Sequence, residues 1–175
     1  PPRSTLFPYT TLFRSDGRRL ILEYCAGGTL RSHMLSPLSL ADILDLISDV
    51  LCGLAHAHQQ GIVHCDIKPE NILLSYSDGR WRAKISDFGI AKLLQADAAN
   101  QPTTFMGTLA YSSPEQMDGR VLDSRSDIYS LGLMMYQMLT GSLPYWPSKN
   151  NFGGWYKAHT RSEERRVGKE CRSRW

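Results

Sequence analysis

Two segments of the chain repeat apolar residues at helical spacing. The first begins at Ser39, which can cap a helix with Asp42 at its third position, and ends near Gly61, a residue type that commonly terminates helices. The apolar positions of this segment are Ile43, Ile47, Val50, Leu51 and Leu54. The second segment runs from Ser124 to Gly141 and is apolar on nearly all sides, which predicts a central, buried helix.

Shorter runs predict strands. Residues 19–24 read as a strand that ends at the glycine pair Gly27-Gly28. Residues 72–74 and 83–85 are short apolar runs on either side of Asp78-Gly79. This arrangement predicts a β-hairpin with a longer loop.

One end of this hairpin carries candidate chemistry. Asn71 and Asp87 are each eight residues from Gly79, so antiparallel pairing returns both to the same end, and Asp66 and Lys68 lie on the loop that leads into it. A carboxamide oxygen beside a carboxylate is a pair of hard oxygen ligands, which suits Mg²⁺. With a further carboxylate and an ammonium group, the spacing predicts a site for phosphoryl transfer from a metal nucleotide.

The two ends of the chain have an unusual relationship. Residues 1–15 and 161–175 can be encoded by DNA strands that are reverse complements of each other: Pro1 as CCA pairs with Trp175 as TGG, and all fifteen codon pairs work. Such ends resemble translated sequencing adapters that flank a gene fragment, so the fold is expected in residues 16–160 alone. The alternative interpretation is a basic tail that binds nucleic acid.

Setting the ends aside changes the charge balance. They hold 8 of the 20 Lys/Arg residues and 3 of the 17 Asp/Glu residues, so residues 16–160 keep 12 basic and 14 acidic side chains. The overall charge of +3 therefore comes from the two ends, and the slightly acidic residues 16–160 predict no nucleic-acid partner. The remaining residues suffice for one domain or for one lobe of a larger one.

The cysteines and the hydropathy pattern indicate the compartment. Cys25, Cys52 and Cys65 have neither close pairing nor Cys-x-x-Cys spacing, so a reducing compartment is favoured over a disulfide framework. No signal peptide or apolar run of about 18 residues is found. We expect a cytoplasmic location and no membrane segment in this sequence.

Four motifs follow one another in the order of a known family. They are residues 61–71, Asp87-Phe88-Gly89, Ser113-Pro114-Glu115 and residues 126–132. In these motifs residues 16–160 resemble the C-terminal lobe of eukaryotic-type (Hanks-type) Ser/Thr protein kinases, and the motif sequences are similar to those of bacterial members. The resemblance implies an α+β, protein-kinase-like fold: a mainly helical lobe with a catalytic-loop hairpin, most of the N-terminal lobe being missing. Residues 16–160 would then hold the hinge, the catalytic loop, the activation segment and the central helix.

The resemblance also implies an activity and its catalytic residues. The parent protein would be an ATP-dependent kinase of protein serine and threonine hydroxyls that uses Mg²⁺ or Mn²⁺. Asp66 matches the aspartate that accepts or orients the hydroxyl proton, and Lys68 the cation beside the transferring phosphate. Asn71 and Asp87 match the metal ligands. Thr108 matches the threonine that the family places beside Asp66 and Lys68, which favours Ser/Thr over Tyr as acceptor.

Further positions match the nucleotide pocket. Leu22 aligns with the gatekeeper, and Glu23, Tyr24 and Cys25 align with the hinge, whose backbone meets adenine. Leu73 would pack under the purine, while Lys68, Asn71 and Asp87 would face the phosphates and their metal.

Three other residues match structural positions of the family. His64 and Phe88 resemble stacked members of the apolar spine that links the lobes. Asp127 resembles the buried carboxylate at a helix N-terminus that accepts backbone hydrogen bonds from the catalytic loop.

Simpler interpretations compete with some of these assignments. His56 and His58 suggest a metal site, yet residues two apart on a helix do not share a face, so a helix surface is favoured. Met134, Met135 and Met138 are expected to pack in the core.

Two other functions stay in view beside a protein kinase. A pseudokinase scaffold would bind partners without transferring phosphate, but its usual mark is the loss of Asp66, Lys68, Asn71 or Asp87, and all four are present. A small-molecule kinase of the aminoglycoside or choline type would share the aspartates and the asparagine but not Ser113-Pro114-Glu115. No glycine-rich loop precedes Asp16, so the 175-residue chain itself is expected to be inactive.

Cys65 departs from the pattern of most regulated kinases, which place an arginine immediately before the catalytic aspartate. In those kinases a phosphothreonine on the activation segment neutralises the arginine. Thr103 and Thr104 match the autophosphorylation sites, but a thiol offers their phosphates no positive charge. The activity is therefore expected not to need this modification.

Overall fold

A computed structural model of the chain describes residues 10–14, 17–21, 23–88, 109–147 and 149–169, with only the backbone at 10–14, 17–21 and 161–169. The chain divides into two compact units. The first combines the residues up to Ile62 with Pro69–Ser86, and the second combines Val63–Lys68 with the residues from Asp87 onward.

The first unit begins with an antiparallel pair of strands, β1 (Thr10–Arg14) and β2 (Gly17–Ile21). The strand expected at residues 19–24 thus starts earlier and stops sooner, since Glu23–Cys25 has no regular structure. The following glycines are held against another strand: Gly27 N–H donates to the Leu74 carbonyl (2.9 Å). A Cβ at Gly27 would lie 2.6 Å from that carbonyl oxygen, so only glycine permits this approach.

Two helices follow, α1 (Leu30–His33) and α2 (Leu40–Gln59). The Ser39 hydroxyl accepts the Asp42 backbone N–H (3.1 Å), as the sequence predicted. At the other end Gly61 has φ +71°, its N–H donates to His58, and the Ile62 N–H donates to Ala57, which together form a Schellman motif. The buried face of α2, against β4, comprises Ile43, Leu46, Ile47, Val50, Leu54 and Ala57.

The unit ends with a hairpin. A 3₁₀ turn (Pro69–Asn71) leads into β3 (Ile72–Ser77), which pairs antiparallel with β4 (Arg80–Ile85). The expected longer loop is wrong, because Ser77 pairs with Arg80 and only Asp78 and Gly79 form the turn. Both have positive φ (53° and 77°), the geometry of a type I′ turn, whose twist matches that of the strands. The rings of Tyr76 and Trp81 pack across the two strands, with 5.2 Å between centroids, and stabilise the strand pairing close to the turn.

The second unit contains α3 (Pro114–Met117), α4 (Ser124–Thr140) and α5 (Phe152–Lys169). Helix α4 begins and ends as predicted, and Gly141 closes it in the left-handed conformation (φ 79°). Its buried apolar residues are Leu131, Leu133, Met134 and Met138, so the expected methionine packing is confirmed for Met134 and Met138. The helix is not buried on all sides, because Ile128 and Leu139 are each 48% exposed.

Helix α5 packs on α3. Trp155 and His159 are its buried side chains among the residues whose side chains are described. The helix passes through Thr160 without a break, so the boundary expected there does not coincide with a helix end. Among the described residues, no helix has the length and apolar content that a membrane crossing requires.

Candidate active site

The loop Val63–Lys68 is anchored to the first turn of α4. Asp127 is almost fully buried there, and its two carboxylate oxygens accept the backbone N–H groups of His64 (2.9 Å) and Cys65 (2.8 Å). Hydrogen bonds to a carboxylate are stronger than those between neutral groups. The expected anchoring of the catalytic loop by Asp127 is therefore confirmed.

Asp66 and Lys68 lie together on this loop. The Lys68 ammonium is 2.8 Å from one Asp66 carboxylate oxygen, and about a fifth of each side chain is exposed (19% and 22%). The Asp66 backbone N–H donates to the Nδ1 atom of His64 (3.2 Å), so the neutral imidazole carries its proton on Nε2. The structure thus brings together two of the site residues that the sequence predicted.

His64 and Phe88 pack ring against ring, as expected. Their centroids are 4.7 Å apart at an interplanar angle of 59°, and both side chains are buried. The residue before Phe88, Asp87, is exposed and has φ 57°, a left-handed conformation that is uncommon outside glycine. Such backbone strain concentrates at functional sites.

Asn71 belongs to the first unit and ends the 3₁₀ turn before β3. Its side chain is buried. The backbone carbonyl of Asn71 accepts both the backbone N–H (2.8 Å) and the hydroxyl (3.1 Å) of Ser86. Asn71 therefore lies opposite Ser86, the residue before Asp87, at the end of the hairpin that is remote from the turn.

The residues expected to meet adenine also lie in the first unit. Glu23 forms an ion pair with Lys84 of β4, Tyr24 is 87% exposed, and Leu73 is half-buried in β3. Burial raises the pKa of the Cys25 thiol, with Lys84 acting in the opposite direction. Leu22 and Thr108, by contrast, lie outside the described residues.

Glu115 of the Ser113-Pro114-Glu115 motif is bound to α4. Its carboxylate accepts the hydroxyl of Ser126 (2.5 Å). Burial alone would raise the pKa of Glu115, but the hydrogen bonds from Ser126, from its own backbone N–H and from Ser113 together lower it. The carboxylate therefore stays ionised at neutral pH.

Gln116 is a loop contact that sequence reasoning missed. Its side-chain nitrogen donates to the backbone carbonyl of Cys65 (2.7 Å), and its side-chain oxygen accepts the Ser113 backbone N–H (3.0 Å). The available signal was the Ser-x-x-Gln spacing of a capping box, which the structure confirms at the start of α3. That signal indicates a helix start but gives no sign of the contact with Cys65.

A buried polar cluster on α5 was also missed. The Nε2 atom of His159 donates to the Leu109 carbonyl (2.9 Å), and Nδ1 lies 2.9 Å from the Tyr129 hydroxyl and 2.7 Å from the Tyr145 hydroxyl. Burial lowers the pKa of His159 to about 4, against the opposing effect of the Leu109 carbonyl. The imidazole is therefore neutral at pH 7.

The described side chains at residues 23–88, 109–147 and 149–160 contain no group of three or more His, Cys, Asp or Glu residues that could hold a metal ion. His56 and His58 are half-buried on α2, in accordance with the helix-surface interpretation. The expected ligands are Asn71 in the first unit and Asp87 in the second, and a carboxamide and a carboxylate are both oxygen donors of the kind that Mg²⁺ prefers.

Comparison with known proteins gives a matching family and several relatives of this chain. A family model of the protein kinase domain matches residues 8–172, a range that includes parts of both ends. The chain is 48% identical over 149 residues to serine/threonine-protein kinase A of Synechocystis sp., covering 79% of this chain and 29% of the relative. It is 42% identical over 134 residues to PknL of Mycobacterium tuberculosis, covering 74% and 33%. With PrkC of Bacillus subtilis the identity is 38% over 128 residues, covering 72% and 19%. The chain thus spans about a third or less of the length of these curated relatives.

Proposed function

We propose, since this chain belongs to the protein kinase family, that the protein containing it transfers the γ-phosphate of ATP to serine and threonine hydroxyls of other proteins. The observation that carries the proposal is the Asp66–Lys68 pair, 2.8 Å apart, on a loop that the Asp127 carboxylate anchors. The names of the three relatives, all serine/threonine-protein kinases, support the choice of acceptor.

Asp66 is the proposed catalytic residue. Its carboxylate would accept the hydrogen bond of the acceptor hydroxyl and orient the oxygen towards the phosphorus atom. Positioned proton acceptors contribute about 10²–10⁴-fold to rates, so this role has a measurable size. The anchored backbone that precedes Asp66, at His64 and Cys65, supports a fixed direction of attack.

Lys68 is proposed to act as a point charge. In the structure its ammonium forms an ion pair with the Asp66 carboxylate. During transfer the ammonium would lie beside the phosphate. Thr108 is proposed to share a hydrogen bond with these two side chains, as the family motif implies.

Asn71 and Asp87 are proposed to hold Mg²⁺, or Mn²⁺, with the nucleotide. A bound divalent ion supplies charge neutralisation at the phosphate oxygens. The proposed contacts with adenine come from Leu22, from the backbone of Glu23, Tyr24 and Cys25, and from the Leu73 side chain. The Glu23–Lys84 ion pair supports this, because it ties the segment after β2 to the hairpin strand β4.

The test uses a complete kinase that carries residues 16–160, assayed with Mg-ATP and a serine/threonine peptide. Asp66→Asn should lower kcat by at least a hundredfold with ADP affinity retained. Asp45→Asn, the same substitution at an exposed position on α2, is the matched control and should leave kcat unchanged.

Other outcomes would favour the other functions. ADP binding without transfer to any acceptor would indicate a scaffold. Transfer to an aminoglycoside or to choline, and not to peptides, would indicate a small-molecule kinase. Full activity of Asp66→Asn would remove Asp66 from the mechanism.

A further inference from the structure

The peptide unit between Cys65 and Asp66 is held at both of its polar ends. Its carbonyl oxygen, on Cys65, accepts the side-chain N–H of Gln116 (2.7 Å), and its N–H, on Asp66, donates to His64 Nδ1 (3.2 Å). Because a peptide unit is planar, fixing both directions fixes the plane and the Cα of Asp66. We propose that Gln116 is a positioning residue that sets the direction of the Asp66 carboxylate; the proposal rests on the proposed function.

The backbone of Cys65 explains why a tether is needed. Its φ is 63°, in the left-handed region, where a Cβ clashes with the neighbouring carbonyl and few residues other than glycine are found. The Cys65 N–H is bound by Asp127 (2.8 Å) and its C=O by Gln116, so partners on α3 and α4 hold this conformation from both sides. Loss of the Gln116 contact would remove the restraint on the Cys65 carbonyl and weaken the hold on the peptide plane, which would let Asp66 turn away from its acceptor.

The orientation of the Gln116 amide is determined by its two partners. Its oxygen faces the Ser113 N–H (3.0 Å), a donor, and its nitrogen faces the Cys65 carbonyl (2.7 Å), an acceptor. Reversing the amide would place like groups opposite each other at both contacts. The capping box at the start of α3 thus fixes the donor that the catalytic loop uses.

The two contacts of Gln116 can be separated by substitution. Gln116→Glu keeps an oxygen for the Ser113 N–H, as in the Ser-x-x-Glu form of the capping box, but turns the donor to Cys65 into a second acceptor. Gln116→Ala removes both contacts. Cys65→Gly removes the Cβ that makes the left-handed conformation unfavourable, so the tether should matter less in that background.

The experiment measures kcat and the KM for ATP in a complete kinase that carries residues 16–160. Gln116→Glu and Gln116→Ala should each lower kcat about tenfold with the KM for ATP unchanged. In the Cys65→Gly background the same substitutions should lower kcat less than threefold. The matched control is Gln137→Ala, since Gln137 is also half-buried and also uses its amide, towards the Tyr111 hydroxyl, but lies on α4; its kcat should be unchanged.

Several results would overturn the proposal. They are an unchanged kcat in Gln116→Glu, an equal loss in the cysteine and glycine backgrounds, or an equal loss in Gln137→Ala. A wild-type kinase that transfers no phosphate would instead overturn the proposed function. The link between Gln116 and Cys65 is then judged on the 175-residue chain alone, by a double-mutant cycle of unfolding with Gln116→Ala and Cys65→Gly. An additive cycle would rule the link out.

Discussion

His159 and Leu109, fifty residues apart in the chain, are joined by a 2.9 Å hydrogen bond from the imidazole Nε2 atom to the backbone carbonyl. Since a carbonyl only accepts, the Nε2 atom carries the proton and Nδ1 must accept, from the hydroxyl of Tyr129 or of Tyr145. The two hydroxyls are 2.8 Å apart, so one donates to Nδ1 while the other donates to its neighbour. Leu109 directly follows Thr108, so this buried network fixes the backbone immediately after the threonine proposed for the site.

The first prediction concerns acid stability. The pKa of His159 is about 4 in the folded protein against 6.5 ordinarily, so the unfolded chain takes up the proton first. The stabilisation is complete above pH 6.5 and is lost as the pH falls towards 4, by about 3 kcal/mol in total. The measurement is the free energy of unfolding of the chain between pH 7.5 and 4.

The controls for this prediction are two further histidine variants. His159→Gln should unfold more readily at pH 7.5 but show a shallower acid dependence. His56→Gln, on the surface of α2, keeps His159 and should keep the full dependence. An unchanged acid dependence in His159→Gln would contradict the assignment.

A second prediction tests the anchor of the catalytic loop. Asp127→Asn keeps the shape of the side chain but leaves one loop N–H facing an amide NH₂ group in a buried site. We expect a loss of about 3 kcal/mol in the free energy of unfolding, in the range for hydrogen bonds to charged groups. Chemical denaturation of the chain provides the measurement.

Asp123→Asn is the matched control, on the same helix four positions earlier. Asp123 is the N-cap of α4 and accepts the Arg125 backbone N–H (2.9 Å), a task that asparagine performs about equally well. Its unfolding free energy should be nearly unchanged. Equal effects of the two substitutions would show that the loop does not depend on Asp127.

Signals that act over a few residues were predicted well from the sequence. The cap at Ser39 and the left-handed glycines Gly61 and Gly141 lie where expected, because each depends on hydrogen bonds within one helical turn. The hairpin loop is shorter than the sequence predicts, since the polar residues before Asp78 favour a loop. They continue β3 because Tyr76 packs on Trp81 across the turn.

Contacts between distant segments could be predicted only where the family resemblance supplied them, as for Asp127 with His64 and Cys65. Gln116 meets Cys65 across 51 positions, and His159 meets Leu109 across 50. Neither has a periodic pattern, and each depends on how one helix packs against a loop. The placement of Asp66 and Lys68 on one loop could be predicted because only two positions separate them in the chain.

A third prediction concerns regulation. The Cys65 thiol carries no positive charge for a phosphothreonine to pair with, and the Cys65 backbone is already held by Asp127 and Gln116. Thr103 and Thr104 lie outside the described residues. In a complete kinase, Thr103→Ala/Thr104→Ala should keep kcat/KM on a peptide within about threefold, a change of about 0.7 kcal/mol. A fall of about a hundredfold, or about 2.7 kcal/mol, would show that another basic residue receives the phosphate.

A fourth prediction concerns the ends of the chain. Deleting residues 1–15 and 161–175 should change the free energy of unfolding by no more than about 0.5 kcal/mol. The described buried side chains of α5, Trp155 and His159, precede residue 161, and a two-stranded pair such as β1–β2 is marginally stable by itself.

The contrasting deletion removes residues 152–175 and with them Trp155. It should lower the melting temperature strongly, because a fully buried tryptophan is lost. A loss of several kcal/mol from the first deletion would mean that residues 1–15 or 161–175 are integral to the folded protein.

The type I′ turn at Asp78-Gly79 has a practical consequence for protein engineering. Six residue pairs separate it from Asn71, and the register of those pairs is set by the buried Ile72, Leu74 and Ile85 as well as by the turn. A short flexible peptide inserted between Asp78 and Gly79 would therefore lengthen the tip without moving the proposed metal ligand. The tip thus offers a position for a genetically encoded tag or fluorophore in a living cell.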